Sequence, residues 1–188
     1  MHYFLGLEVW QKPGEIFLSQ GKYMVKILER FGMVDCKLVT TSMELNFKKL
    51  CGSAARLALG NASQFRQWIG ALMFLVNFHP DICFAVNTLS QYMVEPHHSH
   101  WIGAKDLLRY LWGIITHGLR YTARDVRLHG YFDADWAGNV VDQKSTFGCC
   151  FSLGSASISY MSKKQKSVAL STAEAEYIAA SMASCEAV

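Results

Sequence analysis

The sequence is poor in charge, and the charge it carries is nearly balanced. Only 18% of its 188 residues are Asp, Glu, Lys or Arg, and the net charge is +3. That surplus is too small to name a partner by itself. Long apolar runs are missing as well. The longest, Trp68 to Phe78, is interrupted by Gly70 and Asn77 and is too short to span a bilayer, so no membrane partner is expected. No basic-then-apolar leader opens the chain, so secretion is not expected. No CxxC spacing links Cys36, Cys51, Cys83, Cys149, Cys150 and Cys185. This argues against a metal cluster or a disulfide framework and for reduced thiols in a cytoplasmic or nuclear protein. What is abundant is apolar material: 51% hydrophobic and 13% aromatic. A disordered chain lacks that much, so a core must be buried.

The pattern changes along the chain. His2 to Val9 is rich in strand formers, Lys12-Pro13-Gly14 reads as a turn, and Ile16-Phe17-Leu18 returns, which predicts a β-hairpin. Ser19 is a candidate cap for a helix with Tyr23, Ile27, Leu28 and Phe31 at helical spacing and Gly32 as its stop. The hairpin is expected to pack on this helix through Phe4, Leu7 and Ile27. Residues 34–62 lose periodicity and read as a loop or linker. Residues 63–116 read as helical. Ser63 is the expected cap for Phe65, Trp68, Ile69, Leu72 and Leu75; Pro80 opens a helix with Ile82, Val86, Leu89 and Met93. After Pro96 a third helix carries Trp101, Ala104, Leu107, Leu108, Leu111 and Ile115. Such stripes predict packing faces.

From Leu119 the period becomes two. Leu119–Tyr121, Leu128–Phe132, Thr146–Leu153, Ala156–Tyr160 and Val168–Leu170 read as strands. A closing helix starts at Ser171, with Ala175, Ile178, Ala179 and Met182 on one side. Ser171 followed by Glu174 fits a capping box, which gives Glu174 a structural task.

The acids of the last third gather at Asp133, Asp135, Glu174 and Glu176, with Lys163, Lys164 and Lys166 between them in sequence. A solvated face is the ordinary reading of such a grouping. Asp135 before Gly138 suits an Asx-type turn. Asp133 on a strand among apolar neighbours is costly unless it meets a cation, a donor or water. Glu174 and Glu176, two apart, cannot share a helix face, so one caps while the other points at the sheet. A strand Asp and a helix Glu brought together suit Mg²⁺, which takes oxygen ligands and keeps some waters. His97-His98-x-His100, after Pro96, reads as a helix entry ahead of a metal cluster. Lys163-Lys164-x-Lys166 reads either as a solvated turn or as a phosphate contact.

Taken together, Gly130-Tyr-Phe-Asp133-Ala-Asp135-Trp-Ala-Gly138, Ser145-Thr-Phe-Gly148, Ser162-Lys-Lys-Gln165 and Ser171-Thr-Ala-Glu174-Ala-Glu176-Tyr177 resemble the ribonuclease H region of copia-type (Ty1/copia) retrotransposon Pol polyproteins. Upstream, Tyr3-Phe-Leu-Gly-Leu-Glu-Val9, Leu18-Ser-Gln20, Lys22-Tyr23, Pro80-Asp-Ile82, His100-Trp101 and Arg109-Tyr-Leu111 resemble the segment between polymerase palm and nuclease. The resemblance covers nearly the whole chain in the family's order. It departs at Phe78-His79, where the family usually has Thr-Arg, and at Trp112, where it usually has Lys.

The resemblance implies a mixed α/β (α+β) fold: residues 1–60 as the end of a reverse transcriptase palm and linker, 61–122 as a helical thumb or connection, and 127–188 as the N-terminal part of a ribonuclease H-like domain. It implies catalytic and Mg²⁺-binding roles for Asp133 and Glu176, nucleic-acid contacts by Lys163, Lys164 and Lys166, and an RNA–DNA hybrid as partner. The parent activity would be RNA-directed DNA synthesis and cleavage of RNA in hybrids. The remaining acidic ligands and the polymerase Asp pair do not appear in these residues, so both active sites are expected to be incomplete and the chain inactive alone. A non-catalytic nucleic-acid-binding remnant and a pseudogene product are the alternatives.

Overall fold

The structure, a computed structural model, describes residues 2–44, 47, 61–124, 126–139 and 142–188. Most of the expected linker, including residues 48–60, lies outside the described residues. The fold is mixed α/β, as expected, with two antiparallel sheets and five α-helices among the described residues. It forms two compact units, residues 1–120 and 121–188. No described helix is long and apolar enough to cross a membrane.

The first unit opens with β1 (His2–Phe4), β2 (Leu7–Lys12) and β3 (Glu15–Ser19); β4 (Leu119–Thr122), whose last two residues belong to the second unit, completes the sheet order β1-β2-β3-β4. The expected single strand from Tyr3 to Val9 is therefore two. Leu5 (φ 49°) and Gly6 (φ 80°) both adopt positive φ, which makes a tight two-residue turn whose twist matches its flanking strands. Pro13 and Gly14 (φ 74°) make the second turn.

Helix α1 (Gly21–Arg30) starts one residue later than Ser19 implies, with Gln20 at the N-cap and no side-chain cap from it. Its amide donors are met from elsewhere. Ser19 Oγ accepts from Gly21 N–H at 3.2 Å, and Glu8 of β2 accepts from Lys22 N–H at 3.0 Å. The buried Glu8 carboxylate thus lies on the positive end of the helix dipole. Phe4 is exposed while Ile27 is in the core. Contact with β1 runs instead through Tyr3, whose ring is approached by Lys22 and Lys26 Nζ at 5.2 and 5.8 Å.

Helices α2 (Ala62–Leu75), α3 (Cys83–Ser90) and α4 (His98–Gly113) build the rest of the core with α1, and a 3-10 turn over Pro80–Ile82 leads into α3. Their apolar stripes are the expected ones: Phe65, Trp68, Ile69, Leu72 and Leu75 on α2, and Ala104, Leu107, Leu108 and Leu111 on α4, are all buried. Trp68 and Trp101 stack at 3.9 Å. Asn61, not Ser63, caps α2, accepting from Gln64 N–H at 3.0 Å. Two of the motif segments meet where Tyr110 donates to Asp81 at 2.8 Å. Burial, aided by that bond and the Asp81 charge, pushes Tyr110 up to about 12.

The His97 helix-entry role holds. His97 is the N-cap of α4 and its N–H donates to His100 Nδ1 at 2.9 Å. His100 is buried and stacks on Tyr92 at 3.8 Å. Burial, with a smaller push from His97, moves its pKa down to about 4. His79 is also buried, and desolvation lowers its pKa despite Asp81 nearby.

The second unit holds β5 (Leu128–Asp135), β6 (Thr146–Leu153), β7 (Ala156–Lys164) and α5 (Thr172–Ala187), with sheet order β5-β6-β7. Asp133 pairs with Gly148 and Tyr131 with Cys150. Ala175, Ala179 and Ala183 form the buried stripe of α5, and their small size lets the helix lie close on the sheet. Met182, expected on that side, is exposed. Val168–Leu170 is not a strand. Its backbone is engaged by side chains: Ala169 C=O accepts from Trp136 Nε1 at 3.0 Å, and Leu170 N–H donates to Glu174 at 2.6 Å.

One prediction follows from the buried histidines. Because the folded pKa of His100 lies below its ordinary 6.5, the unfolded chain binds more protons as pH falls. Stability is full above pH 6.5 and declines down to about pH 4, by roughly 3 kcal/mol for His100. His79 adds to the loss in the same direction. Urea midpoints followed by tryptophan fluorescence should fall across this window. His100→Gln should flatten the slope; an unchanged slope would remove His100 as its source.

Candidate metal and nucleic-acid site

Strand β5 delivers Asp133 and Asp135, and helix α5 delivers Glu174 and Glu176. Ser171 caps the helix as expected, its Oγ accepting from Glu174 N–H at 3.2 Å, but the Glu174 carboxylate reaches one residue further back than a capping box requires, to Leu170 N–H. Glu174 is thereby occupied at the helix entry. Glu176, two residues on, turns to the sheet, and its Oε1 accepts from Ala134 N–H at 3.3 Å.

That bond brings Glu176 to the Asp133–Ala134 peptide. The register decides where the Asp133 side chain goes. Cys149 and Phe151 of β6 face α5, where they pack with Ala183. Residues opposite each other share a face and neighbours alternate. Phe132, opposite Cys149, therefore faces the helix, whereas Asp133, opposite Gly148, leaves from the other face. Asp133 is exposed and Glu176 half-buried. Glu176 thus meets this peptide at its N–H, and the Asp133 side chain leaves it from the face away from the helix.

Asp135 ends β5 at a turn closed by Gly138 N–H to its carbonyl at 3.4 Å. Its carboxylate curls over this turn, where a Cβ on Gly138 would overlap it. A larger residue there would have to displace that side chain. Among the described residues, no three His, Cys, Asp or Glu side chains converge where they could hold a metal ion. His97 and His100 are committed to the α4 entry.

The three lysines do not form one patch. Lys164 pairs with Asp142 at 2.8 Å, and that bond holds the Asp142 carboxyl below its ordinary range. Lys163 opposes Phe147 and so lies on the helix-facing side of β7, with Lys164 on the other. Lys166 is exposed beyond the strand end.

Sequence reasoning missed two residues that fix this region. Buried Ser145 accepts from Ala137 N–H at 3.2 Å. Buried Gln165 donates its backbone N–H to Ser145 C=O at 2.8 Å and its side-chain Nε2 to Ala175 C=O at 2.9 Å, tying the end of β7 to α5. A lone polar residue after a strand carries no local sign of such a task.

A mixed α/β architecture with an acidic strand–helix pair at the end of a short sheet defines a class, and comparison with known proteins gives it a family. No family model and no solved structure matches the chain. Over 94% of its length it is 42% identical to the retrovirus-related Pol polyprotein from transposon RE2 of Arabidopsis thaliana, of which it spans 12%. It is 39% identical over 99% of its length to the uncharacterized mitochondrial protein AtMg00810 of the same plant, covering 77% of it. It is 48% identical over 64% of its length to secreted RxLR effector protein 161 of Plasmopara viticola, covering 86% of that protein. The chain belongs to the Pol polyprotein family of copia-type retrotransposons.

The Glu176 bond is directly testable. Glu176→Ala leaves Ala134 N–H without its acceptor and should cost the second unit about 1 kcal/mol, whereas Glu176→Gln keeps a carbonyl acceptor and should cost under about 0.5 kcal/mol. Hydrogen exchange at the Ala134 amide and urea unfolding would report both. Equal losses in the two variants would mean that the bond contributes nothing.

Proposed function

We propose that this chain is the stretch of a copia-type Pol polyprotein that runs from the end of the reverse transcriptase palm and linker (1–60) through a helical thumb or connection (61–122) into the beginning of a ribonuclease H-like domain (127–188), and that alone it catalyses neither reaction. The observation carrying this reading is the three-stranded antiparallel sheet followed by α5, with Glu176 at the Asp133–Ala134 peptide. The parent activity would be RNA-directed DNA synthesis and cleavage of RNA in RNA–DNA hybrids, in the cytoplasm or nucleus.

Mg²⁺ is the group such a nuclease uses to stabilise charge on the oxygens of the scissile phosphate. Asp133 and Glu176 offer oxygen donors of the right kind. Their number does not fit: Glu176 spends one oxygen on Ala134 N–H, and no third ligand joins them among the described residues. Two divalent ions need several carboxylates to offset their mutual repulsion. The contact of Lys164 with Asp142 likewise takes one cation from the proposed phosphate-contacting set Lys163, Lys164 and Lys166.

The purified chain is therefore expected to show no Mg²⁺-dependent cleavage of an RNA–DNA hybrid and no nucleotide incorporation. Each missing contact to developing charge costs on the order of 10²–10³ in rate. Hybrid cleavage by the chain alone that Asp133→Asn abolishes would overturn the reading.

A further inference from the structure

Between the first sheet and α1 lies a cavity of about 650 Å³, a size that suits a small molecule. Its lining belongs to the first unit alone. Trp10 and Phe17, directly opposite each other on β2 and β3, supply an aromatic wall, their ring centroids 5.4 Å apart. Val25 of α1 and Ile115, just after α4, add aliphatic surface. All four are half-buried, so each keeps apolar surface that the chain's own packing does not use. Glu8 lines the same cavity with a carboxylate that is only 5% exposed. Its Oε2 is spent on Lys22 N–H at 3.0 Å. Its Oε1 lies 3.6 Å from Lys22 Nζ, an ion pair too long to be a hydrogen bond. That oxygen is an acceptor still open to a donor from the cavity.

Charge decides what kind of donor it takes. Lys22 and Lys26 on the lining balance Glu8 and Glu29. A cation reaching Glu8 would meet the Lys22 ammonium and the positive end of the α1 dipole. An anion would meet the Glu8 carboxylate itself. A neutral donor meets neither cost. We propose that this cavity binds a neutral, planar aromatic molecule of the indole type. Its fused rings lie against Trp10 and Phe17, where aromatic faces and edges attract. Its ring N–H donates to Glu8 Oε1, a bond strengthened by the charge of the acceptor. An analogue without the N–H would cover that oxygen and leave it without a donor.

The inference is independent of the proposed function, because binding is read without metal or nucleic acid. Indole titrated into the full chain should bind saturably, with a Kd on the order of 1 mM. In two-dimensional amide spectra the shifts should gather at Trp10 Nε1–H and at the Lys22 and Val25 amides. N-methylindole keeps the rings and lacks the donor, so it should bind about tenfold more weakly. Glu8→Gln replaces the charged acceptor by a neutral one and should shrink that preference. Val25→Trp fills the cavity from α1 and should abolish saturable binding, with circular dichroism checking that both variants fold. Shifts that do not saturate or that map elsewhere would overturn the proposal. So would N-methylindole binding as tightly as indole, normal binding by Val25→Trp, or an undiminished preference in folded Glu8→Gln.

Discussion

The structure of the second unit depends on one constraint: its sheet has very little apolar surface to bury. The first unit closes over a core to which four helices contribute, with Met24, Leu28, Trp68, Leu72, Leu108 and Leu111 among its members. The second gathers Cys149, Phe151 and Ala183, with Met161 beside them, and otherwise buries Phe147 and the small Ala156, Ala169, Ala175 and Ala179. At about 25 cal/mol per Å² of apolar surface buried, such a cluster contributes little. Side-chain hydrogen bonds to the backbone must then fix what packing does not. Ser145, Gln165, Trp136, Glu174 and Glu176 all make such bonds, each to an N–H or C=O outside the ladder. These are five of the polar and acidic residues that the family motifs contain, and Asp133 is not among them. Their presence is therefore explained by architecture before any chemistry is invoked.

The same contrast governs what could be read from the sequence. The helical stripes of the first unit were legible because a large core demands apolar residues at every third or fourth position, and Trp68, Leu72, Leu107 and Leu111 are buried accordingly. The break at Leu5 was not legible: strand propensity runs straight through it, and leucine is a poor signal for positive φ. Val168–Leu170 looks like a strand by composition, yet its backbone is taken up by Trp136 and Glu174. The cap of α1 lies fourteen residues away on Glu8, where no local motif points. Ser171 with Glu174, by contrast, is a local arrangement and was legible as one.

The candidate site divides along the same line. That Glu174 and Glu176 must serve different partners follows from helix geometry, and the structure gives them Leu170 and Ala134 respectively. The face that Asp133 occupies does not follow from sequence. It is set by the pairing register with β6, and a shift by one residue would reverse it. The separation of Lys163 from Lys164 has the same origin, since adjacent residues of a strand point to opposite faces.

Glu176 is where architecture and chemistry compete for one carboxylate. Ala134 N–H lies outside the β5–β6 ladder, and a nearby carboxylate is its acceptor. The bond occupies one of the two Glu176 oxygens. A strand paired along the whole of β5, through Ala134, would satisfy that N–H within the ladder and release the carboxylate. The hydrogen-bond demand of a single amide thus gives Glu176 a structural task beside any chemical one.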